Sequence, residues 1–385
     1  MSRYILISVK KKLPLFIISI IMFAHMAFVM SVNANFLEEA NEFGYVYNKA
    51  TTNLIIYIIL FMIFMFILPL FSMNYRYSLA KSDLFRQAPY KKNRIRYIEH
   101  LTTLGIVVGA FTLGFFFSMF MVMIMNHFAT IPEEALATTN LIKFHYGYYL
   151  LAYIAVLAMG VMQYFISYLF VSRSNNLLNS VIMLLLGQLI LLIVFYQPIR
   201  FFFSFGRVYN STFVLPILLY NEVFEGLIVY GTPTQTLSWG HSVEDTFASI
   251  LYILQYVVYA AIAILGIVAF IIEKDPSSEY AGKAKTNKPY QDIIFHLGAF
   301  LVGSFMCALT QTLLYFLISY VFFLAGYYTF FGMLNRNFVP KVKDIIILVS
   351  VALGVMLFCG ALFIQDWINS ANGGEPLSII NIIFG

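Results

Sequence analysis

Long apolar runs separated by short polar segments set the pattern of this chain. Runs of about twenty apolar residues fall at 13–32, 54–73, 104–125, 150–170, 177–196 and 250–272. Each is long enough to cross the ~30 Å hydrocarbon core of a bilayer as a helix. A backbone in lipid has to satisfy its own N–H and C=O groups, and a helix does so within one segment. The apolar stretch 293–333 is about 41 residues long, twice a span, and its polar triplet Thr310-Gln311-Thr312 predicts a tight turn between two helices. A last run covers 345–364. The pattern predicts an all-α polytopic membrane protein with about nine transmembrane helices.

Charge gives these helices a direction. With the N-terminus inside, the inner segments hold 19 of the 23 Lys and Arg residues. Only Lys49, Lys143, Arg200 and Arg207 fall outside, together with most of the acids, among them Glu38, Glu39, Glu42, Glu133, Glu134, Glu222 and Glu225. Cytoplasmic loops carry the excess of Lys and Arg, so the expectation is N-terminus inside and C-terminus outside. The same bias supports splitting 293–333, since a single span there would put Arg336, Lys341 and Lys343 outside. The first run follows Arg3 and Lys10-Lys11-Lys12, a flank like that of a signal peptide. It is longer than an ordinary signal core and no small-x-small cleavage site is evident, so an uncleaved first helix is expected.

Composition fits this reading. Apolar residues make up 61% of the 385 positions and charged residues 11%, against about 25% charged in soluble domains. Forty Phe and 27 Tyr suit a protein with aromatic interfacial belts. Cys307 and Cys359 both sit in apolar runs and form neither a disulfide framework nor a CxxC metal motif. The net charge of +5 lies between spans rather than on one face of a soluble fold, so a nucleic-acid partner is not expected.

Residues 85–99, FRQAPYKKNRIRYIE, carry five basic side chains between Arg86 and Arg96. A stop-transfer cluster is one reading. A polybasic patch on anionic lipid, worth ~1 kcal/mol per charge, is another. Neither accounts for a proline-punctuated loop of about 25 residues where four, as in Arg173-Ser174-Asn175-Asn176, suffice elsewhere. Pro89 is compatible with the first turn of a helix restarting there. The segment Gln87-Ala88-Pro89-Tyr90-Lys91-Lys92-Asn93-Arg94-Ile95 resembles the coupling-helix region in permease subunits of type-2 ATP-binding cassette exporters, with alanine in place of the usual leucine. Ser278-Glu279-Tyr280-Ala281-Gly282-Lys283-Ala284, after the sixth run, resembles a Ser-Glu-x-Ala-Gly element of a Gram-positive subgroup.

This resemblance implies a six-helix permease core over 1–272, with a cytoplasmic coupling region at 75–100. An outer segment with short re-entrant helices spans 197–249, and a three-helix membrane extension with a short outer tail fills 273–385. It also implies that Ala88, Pro89, Tyr90, Lys91, Lys92, Arg94 and Arg96 contact an ATPase subunit, with Ser278, Glu279 and Gly282 as a second cytoplasmic motif. The implied partners are cytosolic ATP-binding cassette ATPases, which carry ATP and Mg, and a second permease chain, identical or related. In the outer segment, the apolar stretches 213–220 and 223–230 are below spanning length and suit interfacial helices, as a lid or as packing on their neighbours.

No phosphate-binding GxxxxGK[ST], HExxH or GxSxG motif is present. The chain is therefore not expected to be an enzyme or to hold a cofactor or metal. The remaining candidates are polar residues within the spans: His25, Gln163, Gln188 and Gln255, with Gln311 at the turn. Such groups face protein, water or substrate rather than lipid. They serve either as interhelical ties, about 0.6 kcal/mol each, or as the lining of a substrate path. A non-transporting membrane sensor or scaffold and an ion-coupled transporter are the alternative functions; against the latter, no intramembrane acid accompanies His25 and the halves show no repeat.

Overall fold

The computed structural model describes residues 9–10, 12–33, 50–77, 92–128, 146–172, 174–202, 219, 224, 243–273, 288–308, 313–335 and 338–371. Among these residues the chain is all-helical, with nine α-helices. They are α1 (Leu13–Asn33), α2 (Ala50–Ser72), α3 (Lys92–Phe128), α4 (Tyr146–Val171), α5 (Leu177–Phe202), α6 (Val243–Ile272), α7 (Lys288–Ala308), α8 (Leu313–Asn335) and α9 (Val342–Ala371), with a 3₁₀ turn at Asn74–Arg76 after α2. The apolar runs of spanning length fall in helices, to within a residue, over their described residues. The long stretch 293–333 is divided between α7 and α8 as expected, while 309–312, where the turn is predicted, lies outside the described residues.

Five described stretches are long and apolar enough to cross a membrane: Ile55–Arg76, Arg94–Met121, Gly147–Val171, Leu254–Ile272 and Phe316–Met333. Their surfaces fit that solvent. Phe322 is 70% exposed and Leu113 63%, a disposition suited to hydrocarbon rather than water. Nothing interrupts α1 at Pro14, because its missing N–H falls in the first turn, where no intrahelical acceptor exists.

The helices fall into two compact units. The first comprises 1–72, 89–166 and 213–271. In it α1 packs along α3, and both pack on α2. Their shared core is aromatic: Phe61 stacks on Phe111 with ring centroids 3.9 Å apart, and Tyr57, Phe115 and Tyr149 continue the cluster. Ring pairs of this kind add about 0.5–1.5 kcal/mol each beyond area burial. The Tyr57 hydroxyl donates to the Phe111 carbonyl at 2.7 Å, so the buried phenol is satisfied. Of the segment 197–249 expected to re-enter the membrane, most lies outside the described residues; Phe224 is buried in this core with Leu219 packed against it. α6 approaches α4 closely at Gly266, where any Cβ would overlap the Phe165 carbonyl.

The second unit comprises 73–88, 167–212 and 272–385. α7 is its centre, packed by α5, α8 and α9. Gly298 of α7 lies beside Ile190 and Leu186 of α5, and Gly303 lies under the Phe323 ring of α8. The Tyr320 hydroxyl of α8 donates to the Ala352 carbonyl of α9 at 2.8 Å. α5, grouped by sequence with the first six helices, packs here with the three that follow α6.

Candidate functional site

The described polar chemistry gathers at helix ends, and its centre in the first unit is the base of α3. The sequence there, KNRIRYIEHLTT, shows no apolar stripe, yet one face is buried: Arg96, His100, Thr103 and Val107. The spacing of four, three and four residues places them on a single side of a helix. Because three of the four are polar, each has to find partners on neighbouring helices.

Arg96 is 0% exposed. Its Nη2 donates to the Phe270 carbonyl at 3.2 Å, and its guanidinium lies over the rings of Phe270 and Tyr97. The Tyr97 hydroxyl donates to the Ile271 carbonyl at 3.3 Å. Both carbonyls belong to the last turn of α6, where helix geometry leaves C=O groups without intrahelical donors. A cation at that position also meets the negative end of the helix dipole.

One turn later, Glu99 pairs with Lys12, the residue before α1, at 2.7 Å. The Lys12 Nζ also donates to the Glu99 carbonyl at 2.6 Å and to Thr103 Oγ1 at 2.5 Å. Burial lowers the Lys12 pKa, and the Glu99 carboxylate opposes that shift.

His100 extends the network to α4 and α2. Ser72 Oγ donates to the Leu68 carbonyl at 3.1 Å, and the Tyr164 hydroxyl donates to Ser72 Oγ at 3.3 Å. Each hydroxyl has a single proton. The His100 Nδ1 and the Tyr164 oxygen lie 2.5 Å apart, with the donor set by the histidine tautomer. The first three turns of α3 thus hold the start of α1 and the ends of α2, α4 and α6.

In the second unit lies a separate buried cluster. Arg76 Nη1 donates to Glu273 Oε1 and to the Ser172 carbonyl, both at 2.8 Å, and Arg76 Nε donates to the Tyr75 hydroxyl at 3.2 Å. Tyr168 donates its hydroxyl proton to Glu273 Oε2. The two charged side chains are 3% and 4% exposed. Arg76 closes the turn after α2, Ser172 follows α4 and Glu273 follows α6. Beside them, Tyr77 has its phenol pushed up to about 12 by burial, against opposing effects of Ser180 and Arg76.

The residues singled out by sequence are distributed as follows. Ala88, Pro89, Tyr90 and Lys91, and likewise Ser278, Glu279 and Gly282, lie outside the described residues. Lys92 begins α3. Arg94 is exposed and Arg96 is buried, so these two members of the basic run face opposite environments. No break separates them from the apolar part of α3, which is one helix of 37 residues rather than a short interfacial helix followed by a span. His25 lies on α1. Gln163 is fully buried and its Oε1 accepts from the Tyr259 hydroxyl of α6 at 3.2 Å; the same hydroxyl reaches the Met159 carbonyl at 3.1 Å. Gln255 is buried one turn before Tyr259 on α6. Gln188 is buried on α5 in the other unit.

Sequence reasoning missed Lys12, Arg76, Glu99, His100, Tyr168 and Glu273. For Glu99 a signal was present: with Asp83 it is one of two acids in the segment 74–103, which holds seven Lys and Arg residues, and an acid there needs a local reason. Among the described residues no group of three His, Cys, Asp or Glu side chains could hold a metal ion. No protein-family model, curated protein or solved structure matches the chain.

Proposed function

We propose that this chain is the membrane-spanning permease subunit of an ATP-driven exporter in the cytoplasmic membrane. It crosses the bilayer nine times, with its N-terminus inside and C-terminus outside, pairs with a second permease chain, and works with cytosolic ATP-binding cassette subunits that bind ATP and Mg. The substrate class is amphipathic: a peptide, a lipid or a hydrophobic drug. The ATPase contacts are Ala88, Pro89, Tyr90, Lys91, Lys92 and Arg94, with Ser278, Glu279 and Gly282 as a second inner motif.

One observation carries the reading. The described part of the basic segment that resembles a coupling region, from Lys92 on, lies in the first turn of α3, and the base of α3 is bonded to the start of α1 and to the last turn of α6. A push on the preceding segment would be delivered to three helices at once, because buried hydrogen-bonded groups cannot shift singly without leaving partners unsatisfied. Arg96 then serves as the inner anchor of the lever, while Arg94 remains exposed for contact.

The test is affinity purification of the tagged chain from its own membranes. Stoichiometric recovery of a nucleotide-binding ATPase, lost or weakened when Lys91, Lys92 and Arg94 are replaced by Gln in a normally inserted protein, is the expected result. Recovery with no ATPase would leave a sensor, a scaffold or an ion-coupled transporter as the better description.

A further inference from the structure

We infer that the Arg76–Glu273 pair is a latch at the inner ends of α2, α4 and α6, closed in this structure, which parts and hydrates when the protein opens toward the inner face. The inference rests on the transport reading above, which requires such an opening.

The argument starts from the chemistry of a buried ion pair. Taking two charges out of water costs several kcal/mol per ion, and well-packed apolar side chains in their place are often neutral or stabilising. A permanent tie between helix ends would therefore be served as well by leucine and methionine, which abound in this chain. A charged pair adds one property that an apolar contact lacks. Once separated, both ends are stable in water, so the open state is not penalised by exposed hydrocarbon.

The geometry concentrates that property in one place. The pair links the residue that closes the turn after α2 with the one that follows α6, and the same guanidinium holds the carbonyl of the residue that follows α4. Tyr168 fills the second oxygen of Glu273, so the carboxylate is satisfied on both sides while closed. The guanidinium bonds are charge-assisted, and because Ser172 and Glu273 both accept from one nitrogen of Arg76, a displacement of that nitrogen weakens both. Such an arrangement favours two discrete states over graded loosening.

The latch is tested by solvent access in membrane vesicles, with no requirement for ATPase or transport. Ser172, 3% exposed inside the cluster, is replaced by Cys after Cys307 and Cys359 are changed to Ala, and labelling by N-ethylmaleimide is timed. Glu273→Gln strands a guanidinium in a dry site, so the closed state loses population and labelling should accelerate about tenfold or more. Arg76→Met with Glu273→Leu leaves no charge to strand and nothing to hydrate, so labelling should fall below the parent rate. The paired variant also covers the case in which Glu273→Gln folds poorly. Equal labelling in the parent and the paired variant, or faster labelling in the latter, overturns the latch and leaves a static tie. Failure to recover an ATPase would overturn the exporter reading without altering this order of rates.

Discussion

Gly266 and Gly105 make opposite demands on the same residue type. A Cβ at Gly266 would collide with the Phe165 backbone, which has no flexible end to move, whereas at Gly105 no heavy atom lies within 4 Å. Gly266→Ala should therefore lower thermal stability, by about 1–3 kcal/mol as overpacking does, while Gly105→Ala should hold or gain up to about 1 kcal/mol from helix propensity. Melting of the purified protein in detergent checks both, and equal effects would mean that the α4–α6 approach is looser than drawn. Gln163 poses a different question, because sequence alone left it between tie and path. Its bond to Tyr259 supports the first role. Gln163→Leu should cost about 0.6–1.7 kcal/mol, the range for interhelical hydrogen bonds in membranes, with an unchanged substrate response of the ATPase; a changed response at unchanged stability would make it a path residue. At this scale the sequence revealed which polar residues lie in spans, but not their partners. Tyr259 and Tyr164 look like any of 27 tyrosines until the fold places them beside Gln163 and His100.

Hydropathy found every helix and misjudged most of their ends, and α3 shows why. The apolar run begins at 104, yet the helix begins at Lys92. The twelve missed residues bury Arg96, His100 and Thr103 on the face that joins other helices, so a pattern that counts only apolar side chains sees no stripe. α6 likewise starts at Val243 rather than 250, and α9 runs to Ala371 rather than 364, because helices extend past the apolar middle into polar turns. The basic run was legible as a distinct feature, but the continuity of its described part, Lys92 to Arg96, with the apolar part of α3 was not. That continuity makes the Lys12–Glu99 pair an element-level tie between the start of α1 and the base of α3. The two side chains are 14% and 18% exposed, drier than a surface pair, so their coupling should exceed the ~0.3–0.5 kcal/mol of exposed helix pairs. A double-mutant cycle of Lys12→Met and Glu99→Gln should give about 1 kcal/mol of non-additivity in stability. Strict additivity would mean that Lys12 is held by the Glu99 carbonyl and Thr103 alone.

For the whole molecule, the described bonds bear on the direction in which each helix runs. In an up-and-down bundle that starts inside, the starts of odd-numbered helices and the ends of even-numbered ones share the inner side. Lys12 before α1 meets Glu99 at the start of α3, and Arg96 at the start of α3 meets the end of α6. Arg76 after α2 meets the residues that follow α4 and α6. His296 and Tyr327, joined at 2.6 Å, lie eight residues from the start of α7 (288 to 296) and the end of α8 (327 to 335), as an antiparallel pair requires. The bonds of Lys12, Arg96 and Arg76 join ends that the proposed orientation would put on one side, and packing of this kind is independent of insertion bias. With the nine crossings proposed above, α9 would end outside. The expected outcome is that Asn372→Cys, with Cys307 and Cys359 changed to Ser, reacts with a membrane-impermeant maleimide on intact cells as fast as after lysis. A cysteine at Ser2 should react only after lysis. If Asn372→Cys is protected until the cells are broken, the number of crossings is even; one of α7, α8 and α9 then fails to cross, and the extension after α6 has to be redrawn around an inner C-terminus.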